Sequence, residues 1–178
     1  MQSLVWWVEG DRDRRFFDAL VKPRLEPKYA QVLVKEYRQL KQPVVNRLIR
    51  AMGYQGFECR FVADMNAAPC VSSRLAKLIE RHPCLAIEDI VVVATEIESW
   101  YLAGITEQGG VELKIKAPAS TDGLTKQDLD RLRPDRFDSE LDFLIELTRH
   151  FDFDLACQRN RSFAHFCRKH LGMGALSA

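Results

Sequence analysis

Four carboxylates in this sequence stand where short apolar runs end: Glu9 after SLVWWV, Asp64 closing FECRFVAD, and Glu96 and Glu98 just past DIVVVA. In a parallel α/β sheet, ligands gather beyond the carboxyl ends of the strands, so neighbouring strands would bring these side chains to one edge. Carboxylates held close together repel unless a cation or a shared proton neutralises them. A few hard oxygen ligands, with room left for water and phosphate, suit Mg²⁺ or Mn²⁺. A plainer reading stands beside this one. Charged residues at strand ends also cap helices or face water, and Asp11 or Asp13 suits a helix N-terminus. Glu96 and Glu98, two residues apart, cannot share one helix face; both reach a common site only if Glu96 still belongs to strand or loop.

The elements that must position these residues alternate. SLVWWV reads as a strand, with Trp6 and Trp7 on opposite faces and at least one of them in the core. It runs into a helix whose Phe16, Phe17, Leu20 and Val21 form a buried stripe, with Pro23 ending it or sitting in its last turn. AQVLVKEY is a second strand. Pro43 suits the first turn of a helix closed by Gly53. FECRFVAD is a third strand, followed by a helix over CVSSRLAKLIERH that stops before Pro83. DIVVVA, the most apolar strand, is expected at the centre of the sheet, covered on both faces. ESWYLAGI follows as a helix that Gly104 terminates, and a short hairpin is expected around VELKIKA. Three further helical patterns, TKQDLDRLRP, DSELDFLIELTRHF and RSFAHFCRKHL, complete the chain. The fold expected is α/β: a mainly parallel sheet flanked by helices with right-handed crossovers, over residues 1–105. Residues 106–178 form a helical appendage packed on that core.

Composition narrows the function. The chain has 178 residues, 47% of them hydrophobic, enough for a real core. Twenty-six basic residues against 25 acidic give a net charge of +1, which is no footprint of wholesale nucleic-acid binding, although a local basic patch is compatible with it. The start of the chain lacks the pattern of a secretory signal, and no apolar run approaches the roughly 20 residues that span a bilayer. The expected setting is cytoplasmic. Five scattered cysteines without a CxxC pair and four dispersed histidines argue for reduced, structural thiols and against a zinc site.

Val8-Glu9-Gly10-Asp11-Arg12-Asp13, after an apolar strand, resembles the first TOPRIM motif, a Glu-Gly pair with an Asp three residues beyond. TOPRIM domains are the metal-binding catalytic units of DnaG-type primases, type IA and type II topoisomerases and OLD-family nucleases. Their second motif, DxD at the end of a later strand, reads Asp64-Met65-Asn66 here. The chain more narrowly resembles a group of bacterial TOPRIM-like proteins with a VEG start, an IE-x-W-x-L-A segment and an RN-x-S-F segment. Ile97 to Ala103 (IESWYLA) and Arg159 to Phe163 (RNRSF) carry those parts. The resemblance implies a TOPRIM-like (Rossmannoid) fold, Glu9 as general acid/base near a sugar 3′ oxygen or as an indirect metal ligand, and Asp64 holding Mg²⁺ or Mn²⁺. It also makes Glu98 a better metal candidate than Glu96. Asn66 departs from the pattern, since an amide oxygen coordinates without bringing charge; the substitution weakens metal affinity, shifts the charge onto Glu96 and Glu98, or marks lost catalysis.

Basic residues could serve such a site. A solvated helix face is the better account of Arg12, Arg14 and Arg15, although one of them could meet phosphate. Arg159, Arg161, Arg168 and Lys169 could form a second phosphate-binding surface, while Asn160 or Ser162 caps the helix there. Trp100 is expected to pack its helix on the sheet. No tyrosine has the context of a nucleophile, and the chain is too short for strand passage. Two functions remain: a divalent-metal-dependent phosphoryl-transfer protein, such as a nuclease acting on nucleic acid or nucleotide, and a non-catalytic binding or regulatory module. The OLD-family likeness implies a separately encoded ATPase as partner.

Overall fold

A computed structural model describes residues 1–173, which form two compact units, Met1–Val93 and Ala94 onward. The first unit is an α/β structure built on four parallel strands: β1 (Ser3–Val8), β2 (Gln31–Glu36), β3 (Phe57–Asp64) and β4 (Ile90–Val93), in the order β2-β1-β3-β4. From Leu4 to Val8, β1 is buried at every residue, and this is why SLVWWV is apolar without alternation. Trp6 and Trp7 are both core, 1% and 3% exposed. On one face Trp6 meets the Phe17 ring at 5.0 Å. On the other, Val5 and Trp7 pack in a cluster with Val45, Ile49, Phe61 and Leu78.

The expected central position of DIVVVA is corrected. β4 lies at the end of the strand order, and β1 and β3 are the interior strands. Apolarity reports that the faces of a strand are covered; it carries no information about hydrogen-bonded neighbours, so it located the burial of β4 and not its lateral place.

The helices of the first unit are α1 (Asp11–Phe16), α2 (Lys22–Leu25), α3 (Gln42–Tyr54) and α4 (Val71–Arg81). Between α1 and α2 the chain continues through a π-helical turn at Phe17–Val21, where the Lys22 amide donates to the Phe17 carbonyl. Pro23 follows directly. It has no N–H to continue an α ladder, and the wider turn accommodates that gap in place of a break. Pro43 occupies the first turn of α3, and Cys70 caps α4, its Sγ accepting from the Ser73 amide at 3.5 Å.

The second unit is helical: α5 (Ile97–Ala103), α6 (Glu107–Leu113), α7 (Lys126–Leu132), α8 (Glu140–Arg149), α9 (Phe153–Arg159) and α10 (Arg161–Phe166), the last prolonged by a π turn at Cys167–Leu171. The helix over IESWYLA thus belongs to this unit. The hairpin expected around VELKIKA is absent, and α6 takes its first half. Thr106 caps α6 by accepting from the Gly109 amide at 3.0 Å, Leu113 faces inward, and Ile115 donates back to the Gly110 carbonyl to close the end. Local capping and a close approach at Gly109, where a Cβ would stand 2.5 Å from the His150 Cβ, outweigh the β-like alternation of the segment.

Trp100 is wholly buried and rings with Phe163 and Phe166 at 5.1 and 5.0 Å. Its indole donates to Ser162 Oγ at 2.8 Å. Asn160, 1% exposed, caps α10 by accepting from the Phe163 amide at 2.9 Å, while its Nδ2 donates to Ser99 Oγ and Thr121 Oγ1. IESWYLA and RNRSF, distant in sequence, are therefore bonded to each other.

Gly104 lies against Phe151, whose ring would come within 2.4 Å of a Cβ at that position. Gly104→Ala is expected to destabilise the protein by at least about 1–3 kcal/mol, the usual cost of overpacking, measured as a lower urea midpoint at unchanged m-value. An unchanged midpoint would show that Phe151 yields freely.

Candidate functional site

Parallel pairing of β1 with both β2 and β3 brings three strand ends to one edge. The β1–β2 ladder runs past the strands themselves: Tyr37 N donates to Val8 O and Arg38 N to Glu9 O, each at 3.0 Å. Glu9 thus lies between Arg38 on one side and the end of β3, where Asp64 stands, on the other. No described residue donates a hydrogen bond to the Glu9 carboxylate or forms an ion pair with it.

Tyr37 reports how closely the acids gather. Burial raises its phenol well above the ordinary value, and the charges of Glu9, Asp13 and Asp64 raise it further, against the Arg74 cation. Its hydroxyl donates to the Val62 carbonyl at 2.9 Å and its ring stacks on Phe61 at 4.4 Å. The hydroxyl so bonded is a fixed donor. Asp13 is buried at 5% exposure, and its Oδ2 accepts from the Gly10 amide at 3.2 Å. It therefore helps to cap α1, the plainer of the roles expected for it.

The expected site residues divide between the units. Glu9, Arg12, Asp64 and Asn66 belong to the first. Arg12 is partly buried in the first turn of α1. Asn66 is exposed, in a left-handed conformation at φ 48°, and its amide approaches the Asp64 carbonyl at 3.4 Å. Glu96, Glu98, Arg159 and Arg161 belong to the second unit. Glu96 precedes α5, and its carboxylate accepts from the Lys126 amide at 2.7 Å, at the start of α7. Glu98 is buried within α5, 3% exposed. Arg159 donates to the carbonyls of Ala103 and Ile105, at 3.5 and 2.7 Å, and Arg161 pairs with Asp122 at 2.6 Å. Among the described residues, no group of three or more His, Cys, Asp or Glu side chains could hold a metal ion. Of the expected Mg²⁺ or Mn²⁺ ligands, Glu9 and Asp64 are the two carboxylates that stand at the ends of the adjacent strands β1 and β3. Such ions are often held by one or two carboxylates, with water and substrate oxygens completing the shell.

Beside this edge lies a cleft of about 220 Å³ that the motifs did not reveal. Glu9, Tyr37 and Asn66 border it, and three arginines, Arg38, Arg74 and Arg81, line it with His82. Arg74 is fixed by donating Nε to the Asp64 carbonyl at 2.8 Å. The Arg38 and Arg81 guanidiniums have no hydrogen-bond or ion-pair partner among the described residues. These cations come from the end of β2 and from α4, positions that look like ordinary solvated charges in sequence.

Neither a family model nor a curated protein matches the chain. A solved structure, the C-terminal region of the Burkholderia pseudomallei OLD protein, is similar to it at 16% identity and a TM-score of 0.41, over 95% of each chain. A likeness at that level carries no argument about the site. No helix among the described residues is long and apolar enough to cross a membrane.

His82 is 3% exposed and its Nδ1 lies 2.6 Å from Asn46 Oδ1. Burial, aided by the Arg81 and Arg74 cations, lowers its pKa to about 4 from an ordinary 6.5. Between those values the unfolded chain binds a proton that the folded chain refuses. This contribution is therefore complete above pH 6.5 and is lost as the pH falls towards 4. His82→Gln is expected to flatten the decline of the urea midpoint between pH 6.5 and 4.5 relative to the parent. Parallel declines in the two proteins would contradict it.

Proposed function

We propose that this protein is a Mg²⁺- or Mn²⁺-dependent phosphoryl-transfer enzyme acting on nucleic acid or nucleotide, most simply a nuclease. The observation that carries the reading is the Glu9 carboxylate, without a hydrogen-bond or ion-pair partner among the described residues, at a strand edge shared with Asp64 and bordered by three arginines. The TOPRIM-like order of VEGDRD, Asp64-Met65-Asn66 and IESW supports it.

In this reading Asp64 holds the cation, with Glu9 as second ligand or as the group that exchanges a proton with the sugar oxygen. The bound ion would supply charge neutralisation at the phosphodiester, where a water oxygen bonds to phosphorus as the P–O bond to the sugar breaks and the leaving sugar oxygen takes a proton. Arg38, Arg74 and Arg81 hold the phosphate oxygens, for which guanidinium geometry is suited. Tyr37, kept neutral, fixes the edge of the sheet. Glu96 and Glu98 remain proposed contributors of charge, and Arg12, Arg159 and Arg161 proposed nucleic-acid contacts beyond the cleft. A separately encoded ATPase is the partner that the OLD-family resemblance proposes, and the cytoplasm the proposed setting.

A second reading, a non-catalytic nucleic-acid-binding or regulatory module, is favoured by one observation: the absence of a three-ligand metal group among the described residues. The two diverge in a cleavage screen with Mn²⁺ and Mg²⁺ over single-stranded, duplex and RNA substrates. The enzyme reading expects turnover that Glu9→Gln and Asp64→Asn each lower by at least about 100-fold, with circular dichroism unchanged. Binding without turnover under any of these conditions favours the module.

A further inference from the structure

The cleft beside Glu9 has a chemistry of its own. Three arginines and one carboxylate, Glu9, are among the residues that line its roughly 220 Å³, while Asp13 and Asp64 act on Tyr37 from outside the lining. Arg38 reaches the cleft from beyond β2, with Nη1 only 3.8 Å from where a Cβ on Gly10 would stand. Arg74 and Arg81 come from the first and last turns of α4. Such an excess of fixed cations suits an anion of charge near two. A phosphate monoester carries roughly −1.5 to −2 at neutral pH, whereas each phosphodiester link of a strand carries one.

The rear of the cleft adds direction. Asn46 Nδ2 donates to the Arg81 carbonyl at 3.1 Å, which orients the amide so that Oδ1 faces His82. An oxygen at 2.6 Å from Nδ1 requires the proton on that nitrogen. Nε2 of the neutral ring is left as an acceptor, a rare group among arginines. The ring is held there by Phe61, whose centroid is 4.7 Å away. Leu40, Val45 and Leu78 supply apolar wall. Bare inorganic phosphate needs no apolar wall; a sugar or base attached to the phosphate would cover one.

We infer that this cleft is a subsite for a terminal phosphate monoester on a nucleoside, bound by Arg38, Arg74 and Arg81, with His82 Nε2 accepting from a ligand hydroxyl or amine. The inference rests on the proposed function only in choosing a nucleoside as the bearer of the phosphate. It gives that function a substrate class: strand ends or free nucleotides in preference to uninterrupted strand. Binding here needs no divalent ion.

The test is equilibrium binding to the full chain in excess EDTA, by calorimetry for adenosine and 5′-AMP, and by fluorescence anisotropy for a short single-stranded oligonucleotide with and without a 5′-phosphate. The terminal phosphate is expected to tighten binding at least tenfold. A gain for the oligonucleotide over AMP identifies a strand end as the natural ligand, and equal affinity identifies a free nucleotide; either supports the subsite. Arg38→Gln, an exposed position where misfolding is not expected, should erase the preference, and Glu9→Gln should strengthen it by removing the opposing charge. Equal binding of phosphorylated and unphosphorylated ligands by the parent would overturn the inference, as would an Arg38→Gln protein that keeps the preference. Loss of metal-dependent turnover alone leaves this result untouched, so the subsite and the nuclease reading fail separately.

Discussion

The parallel pairing of β1 with β3 is the constraint on which the candidate site depends. β1 is buried along nearly its whole length and bonded on both sides, so its direction and register are fixed before any charged side chain is considered. A one-residue slip would exchange the faces of Trp6 and Trp7 and bury the wrong set. Glu9 is the first polar residue after that apolar run, and Asp64 ends the adjacent strand. Their proximity follows from the ladder and not from attraction between them, which at like charge is repulsive.

That repulsion shapes what surrounds them. Burial first, and then the charges of Glu9, Asp13 and Asp64, raise the half-buried Tyr37 phenol well above its ordinary value. Asp13 turns one oxygen to the Gly10 amide, using its charge on the N-terminus of α1. Arg74 binds the backbone of Asp64 and sets a cation close to the acids. The Glu9 carboxylate accepts nothing from the described residues. A charge left so, in a structure that accommodates its other acids, is the best place for an external ligand to act.

Much of this was legible because it is local. Strand ends, the cap at Asn160, the buried Trp100 and the position of Pro43 follow from residue type and short-range period. The lateral order of the strands was not, since the apolar run of β4 records covered faces only. Nor was the cleft. Arg38, Arg74, Arg81 and His82 lie beyond β2, at both ends of α4 and just past it, and each alone looks like a solvated charge or an ordinary core histidine. Arg38 adjoins Tyr37 in sequence, and the crossover from β3 through α4 brings Arg74, Arg81 and His82 to the same cleft. The segment VELKIKA misled for the opposite reason: its alternation is real, but Thr106 and the tight packing at Gly109 select a helix.

Asn66 shows how the two levels combine. Its left-handed backbone at φ 48° accounts for Asn, Asp or Gly at that position, because short polar side chains tolerate this region. Backbone geometry therefore does not distinguish Asn from the Asp that the TOPRIM pattern would supply; charge does. Another carboxylate two residues from Asp64 would add to the acids already acting on Tyr37, of which only Arg74 is a direct counterweight. With an amide there, the lining of the cleft keeps three arginines against the one carboxylate of Glu9, a balance that on the proposed reading favours phosphate over a second metal ligand. On the proposed reading, the departure from the motif and the basic cleft are two sides of one electrostatic balance, in which a fixed charge that would hold a metal ion is given up in favour of binding an anion.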